Sequence, residues 1–180
     1  MALTATVYHV EIELSDIDRN VYETLDLRIA RHPSESMPYF LTRTIAYALL
    51  YEEGIAFSKG GLSSADEPPL TIRDLQGNLR VQVEIGAPSA ERLHKASKAA
   101  PRLVVFTAEP RRVLREAESR EIHKAKEIEV YALEPKFLDQ LGGLTERNSK
   151  WTLMRNDGEL YVSVGTKTVP GTVTRHALSS

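Results

Sequence analysis

LTIRDLQGNLRVQVEIGAPSAERLHKASKAAPRLVVFT, residues 70–107, is the stretch whose reading decides the fold. Leu70 to Leu75 and Leu79 to Ile85 alternate apolar and polar residues around Gln76-Gly77-Asn78, which is a strand–turn–strand signature. With Gly77-Asn78 as a two-residue turn, Ile72 pairs with Val83 and Leu70 with Ile85. The apolar side chains of both strands then share one face. The opposite face carries Thr71 and Arg73 against Glu84 and Gln82. Gly86-Ala87-Pro88-Ser89 breaks the second strand and caps a helix over residues 90–100. Leu103-Val104-Val105-Phe106, inside a strand over residues 102–107, is the continuous apolar run of a strand covered on both faces.

The pattern extends in both directions. Upstream, residues 5–14 and 21–30 alternate with a period of two and read as an antiparallel hairpin around a polar turn. Residues 34–53 form the strongest helix signal: Ser34 or Ser36 caps it, Pro38 sits in its first turn, and Gly54 ends it. A short strand over residues 55–58 and a Gly-, Ser- and Pro-rich loop over residues 59–69 follow. Downstream, a helix is expected over residues 110–125, a strand over 128–133 and a short helix over 135–141. A hairpin is expected over 151–155 and 159–164, turning at Asn156-Asp157-Gly158. The tail after Thr174 is expected to fray. Strands and helices interleave throughout. The expected fold is therefore mixed α/β (α+β), one domain over residues 1–180, with a single, partly antiparallel sheet flanked by helices.

Composition narrows the chemistry. Hydrophobic residues make up 42% and charged residues 27% of the chain, ordinary values for a globular protein, and the net charge is −2. Without cysteine there is no disulfide, thiolate zinc site or cysteine nucleophile. The N-terminus lacks a basic start, and the longest apolar run, residues 45–51, is far too short to span a bilayer. A cytoplasmic protein without a membrane partner is expected. Residues 91–126 carry twice as many Lys and Arg as Glu, which points to a polyanion partner or to solvated helix faces. No Gly-x-Ser-x-Gly or Gly-x-Gly-x-x-Gly occurs, and Gly165-Thr166-Lys167-Thr168 lacks the first glycine and the helix of a phosphate loop. The five histidines show no paired metal-ligand spacing.

The chemistry-bearing neighbourhood is residues 66–98. Glu67 shares the parity of Glu84, although a straight strand leaves it about 13 Å along from Thr71, so a bend at Pro68-Pro69 is needed to bring the two acids together. On the following helix Leu93, Ala96 and Ala100 form the apolar face, while Glu91, Lys95 and Lys98 align opposite. Lys95 or Lys98 can then reach toward Glu84. Two carboxylates can hold Mg²⁺, and a lysine beside them can stabilise a phosphate or orient a water. The plainer alternative pairs Arg73 diagonally with Glu84 and leaves both lysines solvated.

Several stretches closely resemble the bacterial YaeQ family: Met1-Ala2-Leu3, Asp18-Arg19-Asn20, Ala30-Arg31-His32-Pro33-Ser34-Glu35, Asp66-Glu67-Pro68, Glu84-Ile85-Gly86-Ala87-Pro88 and Lys95-Ala96. That family is regarded as a variant of the PD-(D/E)XK nuclease fold, a restriction-endonuclease-like core of helix, three strands, helix and strand. The resemblance implies such a core over about residues 34–107, with extra strands outside it. It implies that Asp66 or Glu67 stands near the first acid, Glu84 at the second, and Glu35 as an accessory acid. Glu67 and Glu84 would hold Mg²⁺ or Mn²⁺. The usual lysine two residues after the second acid is Gly86 here, and Lys95, or else Lys98, would replace it from the helix. Arg31 and His32 are phosphate or substrate contacts or, equally, a tie between strand and helix. Arg43 neutralises Glu84 or binds phosphate. The implied function is a metal-dependent nuclease-like phosphodiester hydrolase; the alternative is a non-catalytic module that binds nucleic acid or a protein partner.

Overall fold

The computed structural model describes residues 4–59 and 67–178. Among the described residues, ten strands form one mixed sheet in the order β2-β1-β8-β9-β10-β7-β6-β5-β4-β3. β1 (Thr6–Asp16) and β2 (Val21–Arg31) make the expected hairpin, paired without a register shift from Thr6↔Arg31 to Asp16↔Val21. Then follow α1 (Met37–Leu49), β3 (Ile55–Phe57), β4 (Leu70–Arg73), β5 (Leu79–Ile85), α2 (Ala90–Ala99) and β6 (Arg102–Thr107). α3 (Pro110–Glu118), β7 (Glu129–Leu133), α4 (Pro135–Leu144), β8 (Asn148–Asn156), β9 (Glu159–Val164) and β10 (Lys167–Ala177) complete the chain. β1–β8, β5–β6 and β6–β7 are parallel and the remaining pairs antiparallel.

The helices divide between the two faces of the sheet. α1 and α4 pack in the larger core with Val10, Ile12, Leu27, Val83 and Trp151. α1 touches strands from both halves of the sheet, β1 on one side and β3, β5 and β6 on the other. All of its residues from Phe40 to Leu49 except Tyr47 are buried, the polar Thr42, Arg43 and Thr44 among them. α2 and α3 pack on the other face, where Leu93, Ala96, Val113 and Ala117 meet Leu103, Val105 and Val130.

Local chemistry sets the boundaries. Ser36 caps α1 by accepting from the Tyr39 amide at 3.2 Å, so the helix starts after the Pro33–Glu35 turn rather than at Ser34. It ends at Leu49, short of Glu53. Arg19 donates to the carbonyls of Ala48 and Tyr51 there, at 3.3 and 3.1 Å, tying the β1–β2 turn to the end of the helix. Ser89 caps α2 in the same way, accepting from the Arg92 amide at 3.1 Å.

Three expectations are corrected. The β4–β5 pairing is Leu70↔Val83 and Ile72↔Val81, two residues away from a Gly77-Asn78 turn. Asp74 accepts from the amides of Gln76 and Asn78, at 3.0 and 2.8 Å, and so builds a longer loop with a register irregularity at Ile72/Arg73. A two-residue shift leaves each side chain on its expected face. The helix expected to reach Ala125 stops at Glu118, because Ile122 and Ala125 turn inward as a plug followed by a single 3-10 turn. The tail does not fray at Thr174: β10 runs to Ala177 and joins β9 to β7, the link between the two halves of the sheet. Gly171 in β10 is required by packing, since a Cβ there would stand 2.5 Å from the Phe137 ring of α4.

Candidate functional site

β5 places Val81, Val83 and Ile85 in the larger core, so Gln82 and Glu84 face the other way, toward α2. Glu84 is 2% exposed. Its two oxygens are both engaged: Gln82 Nε2 donates to Oε1 at 2.9 Å and Arg92 Nε donates to Oε2 at 2.9 Å. Arg92 comes from the first turn of α2 and keeps about a third of its side chain in solvent, at 35%. Between β5 and α2 opens a cleft of about 400 Å³ lined by Gln82, Glu84, Ser89, Glu91, Arg92, Lys95, Ala96 and Ala99. Glu84 and Lys95 therefore share one cleft. Lys98 is exposed on the same helix and is not part of the lining.

At the end of β5 the chain turns through Gly86, whose φ of 88° is the left-handed conformation that disfavours a side chain. A lysine at this position would be strained by its backbone, although the space around it is open to ordinary contact with the Tyr39 ring at 3.7 Å. Tyr39 reaches this point from α1. Burial raises its phenol above the ordinary value; Glu35 and Glu84 raise it further, against the opposing charges of Arg43 and Arg92. The phenol thus lies within the fields of two ion pairs.

The second of those pairs is Glu35–Arg43. Arg43 Nε and Nη2 donate to the two Glu35 oxygens, both at 3.0 Å, and Nη2 also donates to the Ala30 carbonyl at 3.0 Å. The guanidinium lies 5.3 Å from the Phe57 ring centroid and 5.6 Å from that of Phe40. Arg43 thus neutralises Glu35, and Glu84 is neutralised by Arg92. Arg31 donates to the Glu35 carbonyl at 3.1 Å and to the Tyr8 hydroxyl at 3.3 Å; His32 Nδ1 bonds the Ser34 hydroxyl at 2.7 Å. The Arg31–Glu35 stretch is bonded within itself, to β1 through Arg31 and to α1 through Glu35.

Glu67 lies outside the cleft lining, and its Oε2 accepts from the Ser58 hydroxyl at 2.8 Å. Asp66 falls outside the described residues. Arg73, the alternative partner of Glu84, instead donates to the Gly77 carbonyl at 3.1 Å. Among the described residues no group of three His, Asp or Glu is placed to hold a metal ion. Sequence reasoning missed Arg92 and Tyr39. Arg92 stood one helical turn before Lys95 on the same helix, a spacing that carried the signal. Tyr39 carried none, because its approach to Gly86 crosses from one element to another.

No helix among the described residues is long and apolar enough to cross a membrane. The family model described as YaeQ protein matches residues 1–173. The uncharacterized protein YaeQ of Escherichia coli K12 is 28% identical over 166 residues, covering 91% of each chain. Its counterpart in Salmonella typhi is 28% identical over 165 residues. Among solved structures, the YaeQ protein from Xanthomonas axonopodis pv. citri superposes with a TM-score of 0.87 at 28% identity, covering 98% of this chain and 100% of that one. The YaeQ protein from Pseudomonas syringae gives 0.83 at 28% identity, covering 97% of each. Matched over nearly its whole length in sequence and in fold, the chain belongs to the YaeQ family.

Proposed function

We propose that the β5–α2 cleft is a metal-dependent phosphodiester-hydrolysing site of nuclease type. The observation that carries this reading is that a buried carboxylate, Glu84, and Lys95 line one open cleft. The order α1-β3-β4-β5-α2-β6 supports it, because it matches the helix, three strands, helix and strand of the PD-(D/E)XK fold. Glu84 offers the oxygen-ligand type that such cations take. Mg²⁺ and Mn²⁺ take oxygen ligands, and Mg²⁺ usually uses only one or two carboxylates, completing its shell with water and substrate phosphate. Glu84 would be the principal ligand; Glu67, which accepts from Ser58 outside the cleft lining, would have to turn inward to be the second. When bound, the cation supplies Lewis-acid polarisation of the phosphoryl group.

The chain's own residues do the remainder. Gln82 holds Glu84 Oε1 in place at 2.9 Å, which fixes the rotamer of the acid. Lys95 makes no ion pair among the described residues, and its ammonium is available for a non-bridging phosphate oxygen or for the attacking water. Glu35, held by Arg43, supports the site from behind Tyr39 rather than from within it.

The test combines Mn²⁺ calorimetry with cleavage of labelled single- and double-stranded DNA. Saturable Mn²⁺ binding lost in Glu84→Ala is expected, with cleavage reduced about a hundredfold in Lys95→Ala. Mn²⁺ binding that persists unchanged in Glu84→Ala defeats the reading. A second reading, a non-catalytic binding module, is favoured by Gly86 in place of the strand lysine and by the basic segment over residues 91–126. It predicts no cleavage and a DNA affinity that falls steeply with salt.

A further inference from the structure

We infer that residues 120–127, between α3 and β7, form an acid-sensitive latch that closes on α2 only while His94 is neutral. The latch is independent of any chemistry in the β5–α2 cleft.

His94 lies partly buried on α2, and its Nδ1 accepts from the backbone amide of His123 at 3.0 Å. A backbone amide only donates, so Nδ1 carries no proton and the imidazole holds its hydrogen on Nε2. A second proton on the ring must go to Nδ1. It removes the acceptor and sets two donors against each other. The hydrogen bond and the imidazolium therefore exclude one another. Among the described residues, this is the one hydrogen bond or ion pair that joins residues 120–127 to another element. The rest of the attachment is apolar: Ile122 and Ala125 are buried with Leu93 and Val113 in the smaller core. Lys124 holds a φ of 50°, the left-handed region that a lysine seldom adopts, so opening relaxes a strained residue.

Nothing nearby compensates a charge on the ring. On α2 itself, Glu91 and Lys98 stand about one turn to either side of His94. α2 packs on α3 and β6. α3 brings Glu116, which accepts from the Ala90 amide at 3.2 Å, and Glu118 at its end. β6 brings Arg102, which is held by Glu129. The latch brings His123, flanked by Glu121 and Lys124, with its ring edge-on to His94 and the centroids 6.5 Å apart. Among the described residues no carboxylate lies within ion-pair distance of either ring; the histidine that has one is His9, beside Asp26. As pH falls through the ordinary histidine range, about pH 6.5, the His123 amide loses its acceptor and two cationic rings come to face each other. Closing requires the neutral ring, so by linkage the closed form is favoured above that range and lost below it.

Hydrogen exchange on the full chain, corrected for the intrinsic pH dependence of exchange, tests this at about pH 7.5 and about pH 5.5. In wild type, protection of residues 120–127 is expected to fall about tenfold at the lower pH while that of β6 holds. His94→Asn, whose side-chain carbonyl can take the amide without titrating, is expected to keep the segment protected at both pH values. His94→Phe is expected to leave it open at both. His123→Gln keeps the donating amide and is expected to retain most of the wild-type dependence. Unchanged wild-type protection overturns the inference, and so does an acid-induced loss that survives in His94→Asn. Wild type alone gives a second readout should a variant fail to fold. In an NMR titration the His123 amide resonance is expected to shift with the midpoint of the His94 ring, and an amide without that midpoint overturns the latch.

Discussion

Asp18 and Arg19 show what single residues of the family-like stretches do in this chain. Asp18 accepts from the amides of Asp157 and Gly158, at 2.6 and 3.0 Å, and from Arg155 Nε at 3.1 Å, closing the β8–β9 turn from the β1–β2 turn. The amide of Gly158, with those of Asp157 and the Arg155 side chain, holds its carboxyl below the ordinary value of 3.8. A carboxyl depressed in the folded state contributes stability above its unfolded value and loses it as pH falls through the folded value. The urea midpoint of the wild type is therefore expected to drop below about pH 3.8, with Asp18→Asn losing part of that dependence, as equilibrium unfolding at several pH values would show. Asp16, fully buried beside Asp18, binds Arg19 Nε at 2.7 Å and lies 3.6 Å from Arg155 Nη1, so the same network reaches the C-terminus of α1.

At the scale of elements, β10 is the most informative. Pro170 and Gly171 lie inside it, which is why a strand was not legible there: both residues ordinarily argue against a strand interior. Their tolerance comes from α4. Phe137 packs so closely on Gly171 that a methyl group would collide with its ring at 2.5 Å. Gly171→Ala is expected to destabilise the protein by about 1–3 kcal/mol, the usual effect of overpacking, with much of the loss recovered in combination with Phe137→Leu. Thermal unfolding of the single and double variants checks this, and an unperturbed Gly171→Ala would show that β10 and α4 are free to separate. β2 is the long edge of the sheet, but Arg43 bonds its Ala30 carbonyl, and Asp26 and Arg28 stand exposed along it, both of which discourage pairing with another strand.

At the scale of the molecule, the strand order joins the two halves of the sheet through β10, which pairs with β9 on one side and β7 on the other. α1 then bridges the halves on the inner face. A chain ending at residue 166 lacks this strand. It is expected to lose cooperative unfolding and to expose the apolar edges of β7 and β9, seen as a broadened denaturation curve and increased dye binding. A sharp, wild-type-like transition in that truncation would place the joint elsewhere.

The sequence by itself determined what depends on neighbours along the chain. The alternation of β1, β2, β4 and β5 set their faces, which survived even a two-residue error in the β4–β5 register because side chains repeat every two residues. Helical spacing put Lys95 and Lys98 alike on the exposed face of α2, and strand parity put Glu84 opposite the core; that Lys95 rather than Lys98 lines the cleft with Glu84 was decided by how α2 lies on β5. Only the tertiary structure decided which charges neutralise each other. Arg43 sits on Glu35 and Arg92 on Glu84, and that choice depends on distances between elements and on which carboxylates are shut away from water. The central place of β10 was decided in the same way, because its hydrogen-bond partners, β7 and β9, lie apart in sequence and are brought to its two sides only when the whole sheet assembles.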